Sequence, residues 1–113
     1  MPFDEELAER IRLQLAGTPG VTEQRMFGGL AFLIGGNMAV AASGQGGVMV
    51  RVDPADSDAL VETGTARLME MRGGQMRGWL RVDAVHVQTD EALAKWVMRG
   101  ADSARSLPPK IRA

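Results

Sequence analysis

A single histidine, His86, and four serines, Ser43, Ser57, Ser103 and Ser106, are the residues to which acyl-transfer chemistry would first be assigned. None of the serines sits in a Gly-x-Ser-x-Gly elbow, the strained turn that lifts a serine nucleophile clear of its sheet. His86 lies between Val85 and Val87 and reads as a half-exposed residue of a strand or loop. One imidazole excludes a histidine-pair metal site. The absence of cysteine excludes disulfides, thiol catalysis and zinc or iron–sulfur ligation by sulfur. No catalytic residue is expected, and the chain reads as a non-enzyme.

Carboxylates cluster twice, at Asp53, Asp56 and Asp58 and at Glu5, Glu6 and Glu9. Both groups fall in or beside first turns of predicted helices, where acids complement the helix dipole. Nothing apolar surrounds them to raise a pKa for general-acid work. The aspartate group lacks the glycine and terminal glutamate of an EF-hand loop, so no metal is expected there. The 14 glycines form no phosphate loop ahead of a helix. Gly44-Gln45-Gly46-Gly47 falls in a strand–strand turn, away from any helix N-terminus that would stabilise a phosphate. No cofactor is expected.

The surface that stands out is the last predicted strand. If Met76, Leu80 and Val82 face the core, alternation places Arg77, Trp79 and Arg81 together on the opposite face, with Arg72 near the preceding hairpin. Tryptophan and arginine dominate interface hot spots. The same group could form an internal cation–π cluster or stack single-stranded bases. Protein contact, including self-contact, is the reading taken, with Arg72, Arg77, Trp79 and Arg81 as the partner-binding residues.

These side chains need a frame. Leu7, Ile11 and Leu15 recur every four residues and predict a helix from about Asp4 to Ala16, with Asp4 as N-cap and Gly17 and Pro19 as its stop. Residues 22–52 read as three strands, from Thr22 to Ile34 with a bulge or sharp bend at Gly28-Gly29, from Met38 to Ala42, and from Val48 to Val52. Asp53-Pro54-Ala55-Asp56 opens a short helix ending near Gly64. Strands follow at Arg67–Met71 and Met76–Asp83, with Gly73-Gly74 as their turn. Thr89 or Asp90 caps a last helix whose apolar face is Leu93, Trp96, Val97, Gly100, Ala101, Ala104 and Leu107, and Pro108-Pro109 ends it.

The order α-β-β-β-α-β-β-α describes a two-layer α+β domain over residues 1–113, with an antiparallel five-stranded sheet and helices on one side. Its strands are apolar on both faces: Val48, Val50 and Val52 point one way, Met49 and Arg51 the other. A sheet covered on one face should alternate more cleanly, so a second copy of the chain is expected to cover the other face. Eight methionines suit core filling, or alternatively an adaptable apolar binding face for a small molecule or peptide.

A net charge of −1 hides an asymmetry. Residues 1–65 carry four basic and nine acidic side chains, and residues 66–113 nine and five. Eleven of the thirteen cations are arginine, the residue of planar, bidentate pairing. With a pI near 5.8, direct DNA binding is not expected. The acidic, helix-like segment Met1–Arg10 is neither signal nor transit peptide, and no apolar run is long enough to span a bilayer. A cytoplasmic protein is expected.

Three segments carry a family resemblance: Arg25-Met26-Phe27-Gly28-Gly29-Leu30-Ala31-Phe32-Leu33, Gly36-Asn37-Met38 and Val48-Met49-Val50-Arg51-Val52. Together with Met76-Arg77-Gly78-Trp79 and the closing Ala104-Arg105-Ser106-Leu107-Pro108-Pro109-Lys110, the chain resembles the amino-terminal domain of the TfoX/Sxy competence regulators from about Phe3 to Lys110. The resemblance implies a secretion-chaperone-like α+β fold and a role without catalysis. It implies coactivation through protein partners of the transcription machinery, such as the cAMP receptor protein or RNA polymerase. A stand-alone copy is expected, without the helical carboxy-terminal domain of longer regulators. The motif residues read as structural, with glycines for turns and Met26, Phe27 and Phe32 for packing.

Overall fold

The structure is a computed structural model and describes residues 4–26, 28–44, 46–71 and 74–108. The chain runs α1 (Glu5–Gln14), β1 (Val21–Met26), β2 (Gly29–Ile34), β3 (Asn37–Ala42), β4 (Val48–Arg51), α2 (Pro54–Glu62), β5 (Arg67–Met71) and β6 (Gly74–Val82). A 3₁₀ turn (Ala84–Val87) and α3 (Asp90–Arg105) complete it. The fold is α+β, with one antiparallel sheet in the order β1-β2-β3-β4-β6-β5.

The sheet has six strands where five are expected. The long first strand is two strands, because the chain reverses between Met26 and Gly29 instead of continuing through a bulge or bend. Gly28 takes φ +75°, which a side chain disfavours, and Met26 and Gly29 then face each other as the first pair of a hairpin. Phe27 and the side chain of Met26 lie outside the described residues, so Phe32 is the motif packing residue that can be placed.

The helix caps follow the sequence. Asp4 accepts from the Leu7 N–H, Asp53 from Ala55 and Thr89 from Ala92, each satisfying an otherwise orphaned first-turn donor. The main core lies between the sheet and the helices: Leu7, Ile11 and Leu15 of the α1 segment and Leu93, Val97, Ala101 and Ala104 of α3 meet Phe32, Val40, Val50, Leu80 and Val82. Leu107, expected on the apolar face of α3, is instead 36% exposed, because the helix ends at Arg105 and a following turn carries Leu107 off its stripe. His86 lies in the 3₁₀ turn, half-buried, rather than in a strand or loop.

Arg12 clamps α1 to β1. Its Nε and Nη2 donate to the Glu23 carboxylate at 2.6 and 2.8 Å, and Nη1 donates to Glu9. The hydrogen bonds from Arg12 hold the Glu23 carboxyl below its ordinary pKa. A depressed carboxylate pKa stabilises the fold above the unfolded pKa, and the gain is lost as pH falls through the lowered folded value. Thermal melts of wild type and Glu23→Gln are therefore expected to differ at neutral pH and to converge in acid. The gap is small because the pair is solvent-screened.

Candidate functional site

The helix-free face of the sheet is built by strand alternation and one backbone kink. In β4 and β6, Val48, Val50, Leu80 and Val82 point into the main core. Register pairs Arg51 with Trp79 and Met49 with Arg81, and on the outer side Arg67 with Arg81. Gly78 interrupts β6 with φ +89°, and the β5–β6 register shifts beside it, between Leu68 and Met69. Its N–H donates to the buried Ser57 Oγ at 2.8 Å, and its carbonyl accepts from Val52 at the same distance. Ser57 thus fixes the kink that precedes Trp79. Ser57→Ala removes the acceptor and leaves a buried N–H orphaned. A loss of about 1–3 kcal/mol in urea unfolding is expected.

Trp79 packs with Met49 against a second apolar cluster, Ala31, Leu33, Met38 and Ala41, whose members are buried within the one chain. The Arg51 guanidinium carbon lies 4.2 Å from the centre of the Trp79 ring, and Arg51 Nε donates to the Met38 carbonyl at 2.7 Å. Burial pushes the Arg51 pKa down, since the charged form loses water. Arg81 Nη2 donates to the Gly46 carbonyl at 3.3 Å, and Arg67 pairs with Asp83 at 2.6 Å.

Of the four expected contact residues, the structure places Trp79 and Arg81 on this face. Arg72 lies outside the described residues, as does the side chain of Arg77. The residue that sequence reasoning missed is Arg51. Alternation already turned it away from Val50 and Val52, but its position over Trp79 depends on β4 pairing with β6 across α2 and β5.

Two clefts flank α2. One, of about 560 Å³, lies between the start of α2, the last turns of α3, the end of β4 and the middle of β6 at Gly78 and Trp79. The other, of about 410 Å³, is bordered by His86, Thr63, Lys95, Trp96 and Arg99. Asp53 is occupied as the cap of α2, and among the described residues no group of three or more histidine or carboxylate side chains is placed to hold a metal ion. No helix among the described residues is long and apolar enough to cross a membrane.

This arrangement of hairpin, sheet and helices sits in a sequence that matches the TfoX N-terminal domain over residues 13–104, most of the chain. The chain belongs to the TfoX N-terminal domain family. That family is not a known enzyme family. Its matched region includes β1 through nearly all of α3, and so the whole Arg51–Trp79 arrangement. Comparison with curated proteins and with solved structures finds no match.

Proposed function

We propose that this TfoX-type domain is a non-enzymatic protein-binding module acting in transcriptional regulation of the competence type. Its contact surface is the helix-free face around Trp79 and Arg81. The observation that carries the reading is Trp79 itself. It is half-buried, held by Arg51 and flanked by Met49 and Arg81, a combination of rigid aromatic and arginine side chains suited to an interface hot spot. Family membership supports the regulatory role. The proposed partners are proteins of the transcription machinery, the cAMP receptor protein or RNA polymerase, without direct DNA contact and with no cofactor. The proposed compartment is the cytoplasm.

The test is capture on tagged wild type, Trp79→Ala and Arg81→Glu from nuclease-treated lysate. Recovery of either named partner by wild type is expected, with Trp79→Ala weakening purified partner binding by about 2 kcal/mol or more. Recovery that depends on nucleic acid, or that is equal in all three proteins, would sink the proposal. Self-contact is measured separately: a 12.1 kDa species at micromolar concentration removes the homodimer.

The alternative is a small-molecule or peptide module using the methionine-rich sheet face. It has less surface to work with, since Met38 is 8% exposed beneath its neighbours and Met49 is half-buried. A ligand-dependent rise in melting temperature would favour it.

A further inference from the structure

We propose that the cleft between α2, the end of α3, the end of β4 and the middle of β6 binds a carboxylate, with the Arg51 guanidinium as its anchor. The inference goes beyond the protein-contact reading and is carried by how Arg51 is held. The cleft has a volume of about 560 Å³, and Arg51, Trp79, Arg99 and Ser103 are among the residues that line it. The Trp79 ring fixes one face of the guanidinium and the Met38 carbonyl takes its Nε–H, so its plane is set before any ligand arrives. Among the described residues neither Nη group has a hydrogen-bond acceptor.

A half-buried guanidinium has given up water, and burial pushes its pKa down. Such a cation is costly to leave without an anion. The acids on the same cleft do not meet this need. Asp53 accepts from the Ala55 N–H, Asp102 pairs with Arg105, and Asp56 is exposed in the first turn of α2. Their presence also selects the ligand. All three carboxylates repel any anion, and the repulsion grows with ligand charge, so a polyphosphate or nucleic-acid backbone is disfavoured most, whereas a single planar carboxylate carries one charge and matches one guanidinium fork with two parallel hydrogen bonds. Arg99, exposed on α3, and the half-buried Ser103 hydroxyl stand across the cleft as further donors.

The carboxylate can belong to a free organic acid or to an acidic side chain of a partner, and one experiment separates them. Trp96→Phe leaves Trp79 as the single tryptophan, so its emission reports on the Arg51 stack. This protein is titrated with succinate, with inorganic phosphate, and with a terminally blocked peptide carrying one glutamate among apolar residues, all at constant ionic strength. Saturable change with succinate or the peptide is expected. Tighter binding of the peptide assigns the source to a protein partner, and equal or tighter binding of succinate assigns it to a free acid. Arg51→Gln is expected to raise the dissociation constant about tenfold or more, the loss of a charge-assisted pair. Arg51→Lys keeps the charge without the fork and is expected to raise it about fivefold. It carries the test if Arg51→Gln does not fold. No saturable change, tighter binding of phosphate, or an unchanged constant in the folded Arg51 variant would overturn the proposal. Partner capture through Trp79 and Arg81 is read without any titrant, so the two readings fail separately.

Discussion

Gly100→Ala is expected to destabilise the fold by about 3 kcal/mol, although alanine is the better helix former by about 1 kcal/mol. The two effects have opposite signs, and the geometry decides between them. α3 crosses the sheet at Gly100, where an added Cβ would stand 2.3 Å from the Ala39 carbonyl oxygen and 2.9 Å from its carbon. Those atoms are backbone and cannot swing aside. Ala39 is moreover the extra residue where the β2–β3 register slips, Phe32 facing Val40 and Leu33 facing Met38. The helix must lift instead, and lifting it strips Leu93, Val97 and Ala101 from Val40 and Val50. A loss of this size is a large share of the roughly 5–15 kcal/mol that holds a domain together. It should lower the melting midpoint by more than about 10 °C for a chain of this length. A midpoint that rises would mean that helix propensity wins and that α3 is free to shift over β3.

The same glycine marks where sequence reading stops. Its place on the apolar stripe of α3 was legible from the spacing of Leu93, Trp96, Val97, Ala101 and Ala104, all of which are buried. That the stripe must be flat at Gly100 was not, because the atom it approaches belongs to a strand some 60 residues earlier. Local chemistry is legible in the chain: Asp4, Asp53 and Thr89 act as the caps their types and positions suggest. The two glycines Gly28 and Gly29 suit a bulge, a sharp bend or a reversal equally, since a single sequence carries no sign of whether two flanking runs continue or pair. The site divides in the same way. Leu80 and Val82 fix the parity that sends Trp79 and Arg81 to the helix-free face. The left-handed backbone at Gly78 lies between Arg77 and Trp79, so the parity that Leu80 and Val82 set is carried by the strand as far as Trp79. Arg51 reaches Trp79 through a strand pairing that no local pattern encodes.

Phe32→Ala is expected to cost about 3–5 kcal/mol, and its neighbour Leu33→Ala about 2–5 kcal/mol. Phe32 is the largest fully buried side chain among the described residues and faces the helices. Leu33 points to the other side of the sheet and is 7% exposed, packed among Ala31, Met38 and Ala41. The Phe32 loss is a property of one folded chain and should not vary with protein concentration. If the chain itself supplies the cover over Leu33, the loss there is equally independent of concentration. If a second copy completes that cover, mass action ties its contribution to concentration, and the wild-type midpoint falls on dilution while that of Leu33→Ala falls less. Urea melts of the three proteins at one and one hundred micromolar therefore distinguish a second core from an interface. Parallel midpoints throughout are the outcome expected from the burial of Ala31, Leu33, Met38 and Ala41 within the one chain. That outcome would leave Trp79, Met49 and Arg81 as the part of this face available to a different protein.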